Sequence, residues 1–294
     1  MTNGSHKDAV VTYYDTHPIN EQQILEKLKR DGIPLEGLSE ADLQNYDQDH
    51  YGGIEITEQL ARDAGIGADH HVLDVCSGMG GPARYFSYHR GCRVTGLDLT
   101  GSRVAGATRL TSLVGLNHRV DYRQGDAQAM PFEDATFDVA ISQEALLHVP
   151  DKEAVIQECA RVLKPGGMLV ITDLTQRQSI AGSNMLKLGK ALASVNFATA
   201  EKYRQWLQAT GFEILTDVDR SEELKAILTE RLYKSLGDQT RGRFGVAREK
   251  EWEEGYTFFV DSVVAGRLGG CRFAARKKSL NDRPLRKIDA RQST

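Results

Sequence analysis

Cysteine is scarce: Cys76, Cys92, Cys159 and Cys271 are the only four, they lie far apart, and none forms a CxxC pair. Four such residues cannot staple a chain of 294 residues, so reduced, buried thiols in a cytoplasmic protein are expected. No run of about eighteen apolar residues occurs, and the opening MTNGSHKDAV lacks the basic-then-apolar pattern of a secretory signal. Neither a membrane span nor export is expected. There is no internal repeat at solenoid or propeller periods. None of the eight histidines makes an HxxxH, and no Cys/His cluster has ligand spacing, so no metal is expected. Nor does one sign of charge dominate: 37 Lys and Arg against 41 Asp and Glu leave −4, which excludes a general polyanion binder.

The charge that is present is uneven. From Asp31 to Ala61 there are eight acidic residues and no Lys or Arg, whereas from Arg272 onward eight basic residues face two acidic ones. The first stretch favours a cationic ligand and the second an anionic one. With 40% hydrophobic and 27% charged residues the composition is globular. The length suits one α/β unit with a smaller accessory region.

Between His71 and Asp173, short apolar runs alternate with helical patterns. Strands are predicted over 71–75, 93–98, 119–124, 137–142 and 168–173, and helices over 82–90, 102–116 and 152–163. Strict alternation implies right-handed crossovers and a parallel sheet that presents ligands at the carboxyl ends of its strands. Further strands at 212–218 and 270–275 would close the sheet. The expected fold is α/β: a doubly wound, seven-stranded, mainly parallel Rossmann-like sheet with a helical N-terminal cover and an insertion before the last two strands. The cover is read as a helix carrying Tyr13 and Tyr14, a helix over 21–30, an acidic loop-like stretch, and helical spacing from 54 to 64.

The decisive stretch runs Val72-Leu-Asp-Val-Cys-Ser-Gly78-Met-Gly80-Gly81-Pro82-Ala83-Arg84: a buried strand, a glycine-rich turn, and a helix opened by proline. Read literally, Gly78, Gly80 and Ala83 satisfy GxGxxA, and Asp98 lies twenty positions after Gly78, where a dinucleotide enzyme keeps its ribose-binding acid. An NAD-dependent oxidoreductase is therefore one reading. Three details favour S-adenosylmethionine (SAM). Asp74 lies where a carboxylate meets a ligand ammonium and repels a pyrophosphate. Gly125-Asp126-Ala127 puts an acid after the third strand, placed to accept the exocyclic amine of an adenine. Lys164-Pro165-Gly166-Gly167 reads as a tight turn before the fifth strand.

In this order and spacing, residues 68–175 resemble the class I SAM-dependent methyltransferases. Asp49-His50-Tyr51-Gly52-Gly53, the loop from Cys76 to Arg84, and Ser142-Gln143-Glu144 through His148 to Lys152 are most similar to the sarcosine and dimethylglycine N-methyltransferase group. Phosphoethanolamine and tocopherol methyltransferases are more distant. The resemblance implies transfer of a methyl group from SAM, leaving S-adenosylhomocysteine, to a small-molecule acceptor. An amine nitrogen is expected, with C- or O-methylation of a natural product, prenylated or aromatic compound as the alternative. It carries over Asp74, Gly78, Gly80, Asp98 and Asp126 as cofactor contacts; Cys76, Leu99, Arg103, Ala127 and Gln143 are expected beside them. Two departures stand out. Cys76 occupies the place of the first loop glycine, which a thiol tolerates if its φ is negative, and Glu144 stands where the nearest group has Asp.

The implied organisation is a cover over 1–61, a SAM-binding methyltransferase domain over 62–280 with substrate-side or accessory helices in 174–198 and 221–268, and a flexible basic tail over 281–294. Glu144 and His148, four apart, would share a helical face if that segment is helical. They and Tyr51 are the catalytic candidates, Glu144 to bind a cationic acceptor and His148 or a tyrosine to relay a proton. Tyr13, Tyr14, Tyr46 and His50 are candidates for a lid, the tyrosines offering cation–π attraction to a sulfonium. The basic tail keeps an RNA or protein methyltransferase as an alternative. Against a nucleic-acid partner stand the acidic cover and Ser142-Gln143-Glu144-Ala145, which is unlike the Asn-Pro-Pro-Tyr loops tied to base methylation. A homo-oligomer stays open.

Overall fold

The computed structural model describes residues 3–15, 20–48, 50–194, 196–237 and 246–279. The N-terminal region holds α1 (Asn3–Asp15), α2 (Glu21–Arg30), α3 (Glu40–Leu43) and α4 (Gly53–Asp63). The alternating core follows: β1 (His71–Val75), α5 (Gly81–Arg90), β2 (Arg93–Asp98), α6 (Gly101–Leu113), β3 (Val120–Gln124), β4 (Phe137–Gln143), a single 3-10 turn (Leu146–His148), α7 (Lys152–Val162) and β5 (Leu163–Gln176). The chain continues through α8 (Gly182–Leu192), α9 (Ala200–Ala209), β6 (Phe212–Asp219), α10 (Ser221–Gly237), α11 (Val246–Val264) and β7 (Leu268–Lys277).

The strands form one seven-stranded sheet in the order β3-β2-β1-β4-β5-β7-β6, parallel except for β7, which runs antiparallel to both neighbours. This is the expected sheet. Successive residues of β1 feed opposite faces, as a strand requires: Val72 packs with Phe86, Val94 and Leu60 on one side, and Leu73 with Leu97, Ile156 and Phe273 on the other. Each such buried side chain contributes about 1.5–3 kcal/mol. Pro82 and the left-handed Gly91, at φ +71°, bracket α5. The direction of strand progression reverses between β1 and β4, so a crevice opens there at the carboxyl ends.

Several local expectations change. The Lys164–Gly167 turn is a bulge inside β5: Phe137 pairs with Leu163 while Val139 pairs with Met168. The acidic stretch is not simply a loop. It contains α3, capped by a reciprocal Ser39–Asp42 box, and two of its carboxylates, Glu40 and Asp47, have buried side chains set against Arg84. The first basic residues after Arg272 belong to β7 and have partners: Arg272 pairs with Asp63, Arg276 with Glu213, and Lys277 donates to the Leu163 carbonyl at 2.6 Å. The remainder of the predicted tail, 281–294, lies outside the described residues. Among the described residues no helix is long and apolar enough to cross a membrane.

Candidate active site

The crevice is a cleft of about 1060 Å³, open to solvent, walled by the ends of β1, β2 and β4 and covered by α1. Cys76 begins the glycine loop at φ +63°, in the left-handed region, so the condition under which a thiol is readily tolerated there, a negative φ, is not met. A Cβ there costs about 1–2 kcal/mol. Gly78, at φ +54°, has open space where a side chain would go and lines the cleft. Gly80 does not line it. Its missing Cβ would fall 2.1 Å from the Tyr122 hydroxyl, so this glycine is required by packing behind the loop. Because the strain belongs to the Cβ, Cys76→Gly is expected to be more stable than Cys76→Ala by about 1 kcal/mol in chemical denaturation. Equal stabilities would remove the strain argument.

Three carboxylates converge on the cleft. Asp74 is buried, its Oδ2 has no hydrogen-bond partner among the described residues, and burial with the nearby Asp98 charge pushes its pKa up to about 7. Asp98 accepts the Gly78 amide at 2.8 Å and the Thr100 amide at 2.9 Å, tying two loops together. Burial raises its pKa despite those bonds. Each oxygen keeps a second lone pair. Asp126 makes an Asx turn to the Gln128 amide at 2.9 Å and an ion pair with Lys7 of α1 at 2.6 Å. Against the desolvation that raises it, these contacts hold Asp126 below the usual carboxylate range. Leu99, Arg103, Ala127 and Gln143 also line the cleft, as does Cys76.

At its other end the cleft meets Glu144 and His148. They do not share an α-helical face: Glu144 sits at φ +52° and only one 3-10 turn follows. Glu144 is already engaged, accepting the Tyr51 amide at 2.5 Å and pairing with Arg220 at 3.4 Å, each side chain 5% exposed. Burial pushes its pKa up to about 7. His148 accepts Tyr14 into the site: Oη and Nε2 are 2.7 Å apart, and His6 Nε2 donates to the His148 carbonyl at 2.8 Å. His50 lines the cleft within a buried chain to Gln48, Thr57 and Gln143, and burial drives its pKa down to about 3, leaving it neutral.

Of the four lid candidates, Tyr14 and His50 face the cleft. Tyr13 lies behind Tyr14, ring centroids 5.2 Å apart, and its hydroxyl points to the Ala191 carbonyl. Tyr46 donates to Asp31 at 3.0 Å, away from the cleft. Tyr51 is half-buried and packs against Phe259, with the Arg231 guanidinium 5.2 Å from its ring centroid. Its phenol is raised well above the usual range by desolvation; the side chain does not line the cleft, and its backbone amide reaches the site through Glu144. Sequence reasoning missed His6, Lys7 and Asp47, which also line the cleft. Asp47 had a signal: a run of acids without local bases needs a cation from elsewhere.

A family model described as a methyltransferase domain matches residues 73–171. The sarcosine/dimethylglycine N-methyltransferase of Halorhodospira halochloris is 31% identical over 171 residues, covering 58% of this chain and 61% of that protein. Methyltransferase GfsG of Streptomyces halstedii is 30% identical over 213 residues, covering 68% and 73%. Sterol 24-C-methyltransferases and an O-methyltransferase are also similar, the chain covering 45% of the sterol enzyme from Eremothecium gossypii. The phosphoethanolamine N-methyltransferase 2 of Haemonchus contortus, solved with S-adenosyl-L-methionine, shares the fold with a TM-score of 0.74 at 21% identity, over 92% of this chain and 60% of that one. The chain belongs to the class I SAM-dependent methyltransferases. That decides between the two readings of the glycine loop. SAM also fits the cleft chemically: the buried Asp74 Oδ2 and Ser77 Oγ have no partner among the described residues, and a ligand carrying an ammonium, a carboxylate and ribose hydroxyls supplies partners of the right kind.

Proposed function

We infer that the chain transfers a methyl group from SAM to a small-molecule acceptor, and that the acceptor atom is an amine nitrogen. The observation that supports this reading is the Tyr14–His148 hydrogen bond, placed on the wall of the cleft that also holds Gly78 and the three aspartates. When bound, SAM supplies a methyl group already activated on a sulfonium. The chain is left to orient, exclude water and accept a proton. In this reading Asp74 meets the ligand ammonium, Asp98 the ribose hydroxyls and Asp126 the adenine amine, with Cys76, Gly78, Leu99, Arg103, Ala127 and Gln143 forming the surrounding wall.

An amine with a pKa two to three units above neutrality holds its proton by about 3–4 kcal/mol. The Tyr14 hydroxyl takes that proton at Oη as it gives its own to His148 Nε2, so the charge ends on the imidazole. Glu144, with Arg220 and the Tyr51 amide already on its oxygens, shapes the acceptor wall instead of binding a free ammonium. Residues of α1 cover the reaction from outside: Lys7 on Asp126, and Asp15 accepting from Ser102 at 2.5 Å. The direct test incubates the protein with methyl-labelled SAM and a panel of small amines, phenols and prenylated compounds. Label on an amine supports the reading; label only on oxygen or carbon moves the assignment to the alternative.

Asp74 makes the cofactor step pH-dependent. Its pKa of about 7 in the free protein means the ionised, ammonium-binding form grows as pH rises. From pH 6 to 7.5 that fraction increases about eightfold, and the dissociation constant of S-adenosylhomocysteine should fall by the same factor. Calorimetry checks this, and Asp74→Asn should flatten the profile. The same shift acts oppositely on folding: a pKa raised above its unfolded value favours the native state at low pH, a contribution lost as pH rises through about 7.

A further inference from the structure

The segment carrying His148 is held from behind by side chains that the proposed reaction does not touch. Asp173, 1% exposed, accepts the Leu147 amide at 3.1 Å on Oδ1 and the Tyr203 hydroxyl at 2.6 Å on Oδ2. Ser194 Oγ donates to the Leu147 carbonyl at 2.8 Å. Lys152, 2% exposed, donates from Nζ to the Val149 carbonyl at 2.9 Å and to Asn196 Oδ1 at 2.6 Å. Asn196 Nδ2 closes the set on the Pro150 carbonyl at 3.1 Å. Backbone groups of Leu147, Val149 and Pro150 are thus each gripped by a side chain, which holds His148 between them on the wall of the cleft.

The ring has its own constraint. His148 Nδ1 lies 3.3 Å from the Ala193 carbonyl oxygen, which can only accept, so Nδ1 carries the proton and Nε2 presents its lone pair to Tyr14. Ala193 delivers that carbonyl from the left-handed region, at φ +46°, where a side chain is strained. The chain returns closely enough that a Cβ on Gly189 would meet the Ser194 carbonyl oxygen at 2.7 Å. Strain of this kind persists only where the surroundings over-determine it.

We propose that Asp173, Lys152, Ser194 and Asn196 are positioning residues whose clamp on residues 147–150, together with the Ala193 carbonyl, fixes His148 as the Nδ1–H tautomer with Nε2 ready to accept a proton. The proposal rests on the proton-accepting role given to His148 above. The bond that one imidazole nitrogen makes decides which nitrogen is basic. A clamp that lets the ring turn leaves the wrong nitrogen facing Tyr14.

The test is long-range proton–nitrogen NMR of the full chain with labelled histidine and bound S-adenosylhomocysteine, His148 being assigned by the signals lost in His148→Asn. Wild type is expected to show Nδ1 protonated and Nε2 bare. Ser194→Ala and Asp173→Ala should give mixed tautomers and lower kcat roughly 10- to 100-fold with S-adenosylhomocysteine affinity and acceptor KM little changed. Asp173→Asn, which keeps an oxygen for the Leu147 amide, and Ala193→Gly, which keeps the carbonyl, should retain the wild-type tautomer. Should Asp173→Ala not fold, Asn196→Ala reads the same clamp. Protonated Nε2 in wild type, or an unchanged tautomer in the folded Ser194 variant, overturns the proposal. The tautomer is read without any acceptor, so a chain that methylates no amine fails the functional reading separately.

Discussion

Arg84→Met is expected to destabilise the protein by about 3–5 kcal/mol, the usual result of removing one member of a buried charge group. Arg84, Glu40 and Asp47 all have side chains with 0% exposure. The guanidinium reaches Asp47 at 2.5 Å and Glu40 at 3.5 Å, and its Nη1 also donates to Thr111 Oγ1 at 3.2 Å. Without the cation, two carboxylates with no exposed side-chain surface remain unpaired. Burial raises the pKa of both, with Arg84 opposing it. The variant should therefore protonate them on folding, and because their folded pKa values lie above the unfolded ones its stability should fall further as pH rises. Urea denaturation at pH 5.5 and pH 8 checks both statements. Replacing all three together with Met and Leu should recover most of the loss, since a packed apolar cluster of similar volume often matches an ion triad. A loss below about 1 kcal/mol for Arg84→Met would mean that water or another cation reaches the carboxylates.

That triad also marks where the sequence was legible and where it was not. The strands from His71 to Asp173 were readable because a parallel sheet buries both faces and leaves short continuous apolar runs. The order of the loops was readable because Gly78, Asp98 and Asp126 stand at or just after the carboxyl ends of successive strands β1, β2 and β3. The acidic run between Asp31 and Ala61 announced a need for positive charge, but its direction was hidden: the answering cation lies 37 residues beyond Asp47, on α5. Residue type could not disclose the φ of Cys76 or Glu144, which tertiary contacts impose. Tyr13 and Tyr14 looked equivalent as a pair, yet adjacent helical residues point about 100° apart, so only one of them faces the cleft. Lys7 and His6 gave no signal. One charge and one imidazole on a polar helix carry no pattern until the sheet edge opposite them is known.

His148→Asn is expected to lower kcat by about 10²–10⁴ while the dissociation constant for S-adenosylhomocysteine changes less than about twofold, the signature of losing a positioned proton acceptor. Asparagine keeps a polar side chain at the position but offers no nitrogen lone pair of imidazole basicity to the Tyr14 hydroxyl. Tyr14→Phe removes the other half of the 2.7 Å contact and should cost a comparable factor. It also keeps the ring that stands 4.7 Å from the Arg103 guanidinium, so the cation–π contact under α1 survives. If the two side chains act as one relay, the double variant should be no slower than the slower single variant, because residues working as a unit are strongly non-additive. Independent roles would instead multiply the two losses. Rates are best taken in single turnovers, where product release does not mask the chemical step. Near-normal turnover in both single variants would show that the acceptor arrives already deprotonated or needs no deprotonation, and would leave catalysis to positioning alone, without the Tyr14–His148 relay.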